Sequence, residues 1–325
     1  MASTLQKIGF IGAGRTATAL ALGFARAGYS VTAVASRSYA SARALAAMVP
    51  GCKAEREASE VVVACDVVFL TVPDDAIELV AASLPWRVGK AALHCSGALS
   101  SEALRGARQR GAEAGCFHPL QTFASREGGE AKLTSSAFAV EGEGWLRAWL
   151  EEAARRLGGI PVFIKGEDRP LYHASAVMAC GYIATMVDAA CGLWEAMGLT
   201  REEGLKALLP LLRGTVDNLA ERGPRLGATG PILRGDAGTV RRHLEALADR
   251  APEALALYRQ AGLAMVFMAQ ARGSISGAQA EELSGLLRPQ MARECPLLEG
   301  EGTDEGEGNT YPSFQPSSTR GEGAR

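Results

Sequence analysis

The sequence has few of the residues that mark metal-binding, disulfide-bonded or nucleic-acid-binding proteins. Its 325 residues include 4 histidines and 7 cysteines, with no C-x-x-C pair or other metal-ligand spacing. The formal net charge is only −2, which gives no reason to expect nucleic acid or an anionic membrane as a partner. The first residues lack an apolar signal core. We therefore expect a cytoplasmic protein with reduced cysteines and no bound metal.

Charge is also missing from one long run, residues 170–187. Its length reaches the lower limit for a membrane span, but it contains Tyr, His, Ser and Thr side chains. We predict a helix over residues 169–197 that is buried inside protein. An apolar helix must be covered on all sides, and the chain offers few other helices to cover it. We therefore expect a homodimer through the C-terminal helices.

The strongest motif present is a glycine-rich turn near the start of the chain. The apolar segment Ile8-Gly-Phe-Ile11 leads into G-x-G-x-x-A, which ends at Ala17, and then into small helix-forming residues. Such a turn lets the backbone approach a pyrophosphate, which the helix N-terminus then binds. We predict a dinucleotide site, with an ordinary strand-to-helix turn as the alternative. The predicted contacts in the turn are Gly12, Ala13, Gly14, Arg15 and Thr16.

The end of the second expected strand bears on the choice of cofactor. NAD-binding proteins usually have a carboxylate at this point, but this chain has Ser36 and Arg37. A guanidinium can pair with a 2′-phosphate through two N–H donors, whereas a carboxylate would repel it. We predict NADP(H) as the cofactor, with Ser36 and Arg37 as contacts. The alternative is that Arg37 is only a solvated loop residue.

Strand and helix signals alternate through the first half of the chain. The expected strands are residues 8–11, 30–35, 67–72, 91–95, 115–118, 137–141 and 161–164. This alternation is typical of an α/β doubly wound parallel sheet, whose ligands bind at the carboxyl ends of the strands. Val72, Pro73, Asp74 and Gly97 follow expected strands, so we predict that they also contact the cofactor.

Beyond about residue 165 the strand signals stop and helical patterns replace them. We predict an NADP-binding domain at residues 1–165 and an all-helical substrate and dimerisation domain at residues 166–292. The remaining segment, residues 293–325, is rich in Glu, Gly, Pro and Ser. Such a composition cannot bury enough apolar surface to fold, and we expect a disordered tail.

Three further segments, together with the glycine-rich turn, resemble one bacterial family. They are His94-Cys-Ser-Gly-Ala-Leu-Ser-Ser101, His118-Pro-Leu-Gln-Thr-Phe123 and Thr229-Gly-Pro-Ile-Leu-Arg-Gly-Asp236. The family comprises Rossmann-like proteins that carry a C-terminal domain of unknown function and are described as NADP-dependent oxidoreductases. It is similar in architecture to 6-phosphogluconate dehydrogenase, pyrroline-5-carboxylate reductase and prephenate dehydrogenase. The resemblance implies a Rossmann domain, an all-α domain like that of 6-phosphogluconate dehydrogenase, and usually a dimer.

The parallel with prephenate dehydrogenase implies two catalytic residues. That family also has a Ser after a sheet strand and a His-Pro dipeptide further along, and its His lies near the substrate hydroxyl. The matching positions here are Ser96 and His118. A histidine can give or accept a proton near neutral pH, so His118 is the expected acid/base, assisted by Ser96. The alternative for both residues is a structural turn.

Four more residues are predicted substrate contacts. They are His173 in the long helix and Asn218, Thr229 and Asp236 in the C-terminal half. The alternative for the last two is a structural turn in which Asp236 caps the next helix. His94 is expected to be a hydrogen-bonded core histidine.

The leading hypothesis is an NADP(H)-dependent oxidoreductase that transfers hydride to or from a small polar substrate in the cleft between its domains. One alternative is an imine reductase or a deazaflavin-linked NADP reductase that shares the cofactor domain. A second alternative is a non-catalytic NADP(H)-binding sensor, because a fold does not by itself establish a reaction.

Overall fold

The computed structural model describes residues 6–289, so the tail expected at residues 293–325 lies outside the described residues. The chain divides into two compact units, Met1–Leu205 and Lys206–Arg325. This division falls later than the predicted domain boundary at residue 165. The reason is that Arg169 and Tyr172, just past that boundary, form hydrogen bonds to residues of the sheet.

The first unit contains an eight-stranded sheet with the order β3-β2-β1-β4-β5-β6-β7-β8. All neighbouring strands run parallel except β6 and β7, which are antiparallel. The strands are β1 (Lys7–Ile11), β2 (Ser30–Ala35), β3 (Lys53–Glu55), β4 (Val67–Leu70), β5 (Ala91–His94), β6 (Glu113–Pro119), β7 (Ala137–Glu141) and β8 (Ile160–Phe163). The doubly wound fold expected from the sequence is therefore confirmed.

Helices cover both faces of this sheet. The helices of the first unit are α1 (Arg15–Arg26), α2 (Tyr39–Met48), α3 (Ala58–Ala64), α4 (Asp74–Ser83), α5 (Arg105–Arg108), α6 (Gly144–Arg156), α7 (Arg169–Ala179) and α8 (Gly181–Ala196), and the last two take no part in the cores on its faces. Alternate strand residues face opposite ways, so Phe69 packs with Phe24 of α1, whereas Leu70 packs with Ile77 of α4. Each face of the sheet thus has its own apolar core.

Three elements of the first unit were not predicted. The short strand β3 and the helices α3 and α6 have no counterpart among the expected elements. The strand β3 has only three residues, two of them charged, and α3 is held by a capping box between Glu57 and Glu60. These elements are stabilised by strand pairing and packing, and their sequences lack a clear strand or helix pattern.

The expectation of one continuous helix over residues 169–197 is wrong. The helix is broken at Cys180, whose φ of −122° and ψ of −72° separate α7 from α8. Within this unit Met178, Tyr182 and Ile183 are exposed, so the expected burial of this segment requires cover from outside the unit. By length and composition alone the stretch Gly166–Ala196 could cross a membrane, and 6% of its most apolar 18 residues are buried.

The second unit is helical in its described part. It contains most of α9 (Arg201–Gly227), followed by α10 (Ala237–Arg250), α11 (Pro252–Arg272) and α12 (Gly277–Leu287). The helix α9 is interrupted at Gly223, where φ is 73°. Val240, Val266 and Leu283 form a small core between the last three helices. The predicted helical C-terminal half is confirmed, with α12 as an additional helix.

Candidate active site

A cavity of about 770 Å³ lies at the carboxyl ends of β1, β2 and β4. Seven of the predicted cofactor contacts line it: Gly12, Ala13, Gly14, Ser36, Arg37, Val72 and Pro73. Parallel sheets of this kind bind nucleotides in the crevice at this edge. The glycine-rich turn and the end of the second strand therefore contribute to a single cavity, as the sequence predicted.

The glycines of the turn leave room for a phosphate group. Gly12 has a φ of 105°, and a Cβ atom there would collide with the carbonyl oxygen of Thr71. A Cβ atom on Gly14 would meet no heavy atom within 4 Å, so the space above the turn is open. The helix α1 begins at Arg15 without a side-chain cap. Its first N–H groups thus remain available to an anion.

Three arginines line the same cavity: Arg37, Arg56 and Arg126. Arg56 follows β3 and Arg126 lies in the segment after β6, and neither was predicted as a contact. A dinucleotide with a 2′-phosphate carries negative charge at two points, and guanidinium groups match phosphate oxygens in geometry and charge. The open glycine turn and the three cations together fit NADP(H).

Four of the predicted cofactor contacts are not among the residues that line this cavity: Arg15, Thr16, Asp74 and Gly97. Arg15 instead donates to the carbonyl oxygen of Ala124 at 3.2 Å. Asp74 accepts a hydrogen bond from Ser96, and its neighbour Asp75 lines the cavity. Gly97 lies beside two histidines.

The predicted acid/base, His118, lies at the end of β6 and forms a pair with Tyr172. Its Nδ1 atom is 2.7 Å from the hydroxyl oxygen of Tyr172, in the first turns of α7, and the two rings are nearly perpendicular. Burial lowers the pKa of His118 to about 4, helped by Arg169 and His173 nearby. Burial also raises the pKa of Tyr172 to about 12. Both side chains are therefore neutral at pH 7.

Gly97 and His173 complete this histidine cluster. The rings of His118 and His173 are perpendicular, with centroids 6.2 Å apart. A Cβ atom on Gly97 would lie 3.0 Å from Nε2 of His118 and would collide with the ring of His173. The backbone of residue 97 therefore packs directly against both rings, and only glycine allows this approach. The predicted residues His118, Gly97 and His173 are close together, and Tyr172 is the member that the sequence did not indicate.

Ser96 has a fully occupied hydroxyl group. Its Oγ donates to Asp74 at 2.6 Å and accepts from the backbone N–H groups of Ala98 and Leu99 at 3.2 and 3.1 Å. These bonds fix the loop between β5 and the following 3₁₀ turn, Ser101–Leu104. The geometry gives Ser96 the features of the structural turn that was the alternative to its catalytic role.

A buried ion pair lies beneath the histidine cluster. Arg169, fully buried at the start of α7, donates from Nε to Glu141 at 2.7 Å and from Nη1 to the carbonyl oxygen of Ser96 at 3.2 Å. Burial alone would raise the pKa of Glu141, but hydrogen bonds from Ser101 and Arg169 lower it below its usual value. Arg169 thereby joins α7 to β7 and to the loop that carries Gly97.

His94 is a core histidine, as expected. It is completely buried, its Nε2 lies 2.9 Å from the carbonyl oxygen of Ser100, and its Nδ1 accepts from the N–H of Ser96. Burial lowers its pKa. We therefore assign His94 to the support of the loop rather than to the reaction.

The other predicted substrate contacts lie in the second unit. Asn218 is an exposed residue of α9, and Thr229 is exposed in the loop after that helix. Asp236 caps α10, because its Oδ1 accepts from the N–H of Thr239 at 2.9 Å and its Oδ2 accepts from the hydroxyl of Thr239 at 2.7 Å. Both of its oxygens thus have the structural partner given by the alternative interpretation.

Two family models match the chain. Residues 7–93 match the family described as NADP oxidoreductase coenzyme F420-dependent, and residues 136–265 match the domain of unknown function DUF2520. No curated protein sequence matches the chain. The first match covers the glycine-rich turn and Arg37, and the second begins just before β7.

Several solved structures share the fold. One, from Bacteroides fragilis, is provisionally named an NADP oxidoreductase; it is 24% identical, with a TM-score of 0.63 over 86% of this chain and 98% of that one. A reductive aminase from Aspergillus terreus in complex with NADPH and ethyl levulinate is 18% identical, with a TM-score of 0.62 over 87% and 99%. A 1-pyrroline-5-carboxylate reductase from Streptococcus pyogenes is 15% identical, with a TM-score of 0.56 over 86% and 98%.

The structural likenesses at these identities establish the fold, and the family models establish the class of protein. The predicted family resemblance, the oxidoreductase class and NADP as the cofactor are thus confirmed. The chain thus combines an N-terminal segment that matches the NADP oxidoreductase family with a C-terminal segment that matches the DUF2520 domain.

Proposed function

We propose that this oxidoreductase reduces or oxidises a small polar substrate next to the pair formed by His118 and Tyr172. The observation that carries the proposal is the 2.7 Å hydrogen bond between these side chains, close to Gly97 and His173. NADP(H), when bound, supplies or accepts the hydride. A proton must then move at the reacting oxygen or nitrogen, and this pair is suited to move it.

The two side chains form a short path for a proton. Tyr172 stays protonated near neutral pH, and its hydroxyl donates to Nδ1 of neutral His118. When a substrate hydroxyl loses a proton to the oxygen of Tyr172, the tyrosine proton passes to Nδ1. In the reductive direction the hydroxyl of Tyr172 gives its proton to the reacting atom, while a proton taken from solvent by Nδ1 of His118 passes to the tyrosine oxygen. Tyr172 is thus the proposed contact with the substrate, and His118 relays the proton to and from solvent.

Ser96 and His173 complete the proposed site in different roles. We assign Ser96 to positioning, because its hydroxyl already makes three hydrogen bonds that hold the Gly97 loop. His173 lies across the ring of His118 and provides a second polar edge for a substrate. Asn218 and Thr229, exposed on the second unit, stay predictions from the sequence, whereas Asp236 caps α10.

An imine is one candidate class of substrate. Two of the structures with the same fold are a reductive aminase and a pyrroline-5-carboxylate reductase. A hydroxyl such as that of Tyr172 can protonate a nitrogen or an oxygen, so the site suits C=N and C=O groups alike. The proposal therefore includes keto acids and cyclic imines, with a deazaflavin as a further partner to be tested.

The experiment pairs NADPH with a panel of keto acids, cyclic imines and a deazaflavin, and then compares variants on the best substrate. Tyr172→Phe and His118→Gln should lower turnover by about 10²- to 10⁴-fold, the usual contribution of acid–base catalysis. NADPH binding, followed by energy transfer from tryptophan, should change less than about twofold, since neither residue lines the cofactor cavity.

The chain offers a matched control for this comparison. His243 and Tyr258 form a similar perpendicular pair, with Nδ1 and the hydroxyl oxygen 2.8 Å apart, on the surface of the second unit. Tyr258→Phe should leave turnover unchanged. Wild-type turnover in both His118→Gln and Tyr172→Phe would show that the site is wrongly assigned. Tight NADPH binding with no turnover on the panel would favour a sensor protein.

We also propose a cytoplasmic homodimer. The support for a dimer is the apolar surface of α7 and α8, where six residues are exposed: Leu171, Val177, Met178, Tyr182, Ile183 and Met186. A second copy of the chain is the proposed cover for this surface. The support for a reducing compartment is that all six described cysteines are free thiols.

A further inference from the structure

Two arginines of the cofactor cavity project from neighbouring strand ends. In the parallel pairing of β2 with β3, Ala35 is opposite Glu55. Arg37 follows Ala35 by two residues, and Arg56 follows Glu55 directly. Adjacent parallel strands end at the same edge of a sheet, so both side chains enter the cavity from one side, together with Ser36 and Ser41.

Neither guanidinium is neutralised within the described chain. Among residues 6–289, no hydrogen bond or ion pair joins Arg37 or Arg56 to a carboxylate. Arg56 instead lies over the ring of Tyr39, the first residue of α2, with its Cζ atom 4.4 Å from the ring centroid. This stacking restricts the side chain while leaving its N–H groups free to bind a ligand.

Two unpaired guanidinium groups at neighbouring strand ends of one cavity favour a ligand group with more than one negative charge. A phosphate monoester carries about −1.5 to −2 charges near pH 7, whereas each phosphate of a pyrophosphate bridge carries about −1. Its three terminal oxygens can accept from two forked donors at once. The adenosine 2′-phosphate of NADP(H) is such a group, and the ribose hydroxyl of NAD(H) is not.

We infer that Arg56, held against Tyr39, binds the adenosine 2′-phosphate together with Arg37 and so helps to select NADP(H) over NAD(H). The inference rests on the proposed cofactor-dependent function and adds a residue to it. Arg37 alone was expected from the sequence, since β3 and its following residue were not recognised. The strand β3 thus serves to bring a second cation to the cofactor.

The test measures binding rather than activity. Isothermal titration of wild-type protein, Arg37→Ala and Arg56→Ala would use NADPH, NADH, 2′-AMP and 5′-AMP as ligands. Loss of one charge-assisted contact should weaken NADPH and 2′-AMP by about ten- to 150-fold. NADH and 5′-AMP should change less than about twofold, because they lack the 2′-phosphate.

Arg43 provides the matched control. It is an exposed arginine of α2 that does not line the cavity, so Arg43→Ala removes the same charge nearby without removing the contact. Its affinities should equal those of the wild type. Tyr39→Leu should weaken 2′-AMP less than Arg56→Ala does, because it removes only the support of the guanidinium.

The outcomes separate this inference from the proposed function. If wild-type protein binds NADPH but Arg56→Ala binds it equally well, the inference is overturned and the function stands. An equal loss of NADPH and NADH affinity in Arg56→Ala also overturns it, since Arg56 would then contact the shared part of the dinucleotide. If wild-type protein binds neither dinucleotide, the proposed function fails and the inference fails with it.

Discussion

At the scale of single residues, the environment of His118 determines its protonation. The side chain is half-buried at the end of β6, and Arg169 and His173 add positive charge nearby. Burial and these neighbours disfavour the imidazolium form, which lowers the pKa to about 4. A histidine in a model peptide has a pKa of about 6.5. The difference links the stability of the fold to pH.

We predict that His118 makes the protein less stable in acid. Between pH 6.5 and 4 the unfolded chain binds a proton that the folded chain does not, so the free energy of unfolding falls as pH falls. The stabilisation that His118 contributes is complete above its pKa in the unfolded chain, and it is lost as pH falls to its pKa in the folded protein. Urea unfolding at pH 7.5 and 4.5 should show that the wild type loses about 2–3 kcal/mol more than His118→Gln.

His94 and Glu141 are common to both proteins in this comparison, so their own titrations cancel. Equal losses of stability in the wild type and in His118→Gln would contradict the prediction. It would mean that His118 can be protonated in the folded protein without a penalty.

The residues of the site differ in how far the sequence could predict them. Gly12 and Gly14 were predictable because a local turn requires them, and Arg37 because it follows a clear strand. Tyr172 was not, because its role depends on a hydrogen bond to a residue 54 positions earlier. Arg56 was missed for a similar reason, since the three-residue strand before it is defined only by pairing with β2.

At the scale of elements, a buried arginine joins the first turn of α7 to the sheet. Arg169 is fully buried and contacts Glu141 of β7 and the carbonyl oxygen of Ser96 after β5. Tyr172 and His173 follow one helical turn later on the same helix. The positions of the proposed proton-transfer residues therefore depend on an ion pair that has no contact with solvent on the arginine side.

We predict a large cost for breaking this ion pair. Arg169→Met leaves the buried carboxylate of Glu141 without its cation, which should lower the free energy of unfolding by about 3–5 kcal/mol. Arg155→Met removes an exposed partner of Glu151 on α6 and should cost less than about 0.5 kcal/mol. Urea unfolding of both variants at pH 7.5 measures the difference. Similar values for the two would show that Glu141 finds another partner.

The break between α7 and α8 shows where the sequence pattern was misleading. Residues 169–197 contain no proline after Pro170 and no charge between Arg169 and Asp188, which indicates one continuous helix. The dihedral angles of Cys180 end α7, and Gly181 begins α8. Nothing in the local composition requires the break there, and glycine at the junction is the only signal that accompanies it.

At the scale of the whole molecule, the first unit has an apolar surface that its own residues leave uncovered. The side chains of Tyr182, Ile183 and Met186 are all more than 40% exposed on α8. Contiguous exposed apolar patches often mark interaction surfaces of proteins. This is the physical basis for the homodimer proposed above.

We predict that charge on this surface separates the dimer. Wild-type protein should sediment at micromolar concentration with twice the 34.0 kDa mass of the chain. Ile183→Glu combined with Met186→Glu should sediment as a monomer, because two carboxylates would be desolvated at the interface. Leu79→Glu, at an exposed position of α4, is the control and should remain a dimer. A monomeric wild type would contradict the proposal.

A contact between the glycine-rich turn and the segment after β6 limits which parts of the first unit could be replaced by those of a related protein. His118 at the end of β6 and Arg126 in the cofactor cavity belong to one stretch of chain, and Ala124 between them accepts a hydrogen bond from Arg15 of the glycine-rich turn. The glycine-rich turn and the proposed proton-transfer residue are thus connected through the six positions from His118 to Ala124. In a chimaera that takes β1 to β5 from a related protein and β6 onward from this chain, a foreign glycine-rich turn would face the segment from His118 to Arg126. That segment would then have to be redesigned together with the turn.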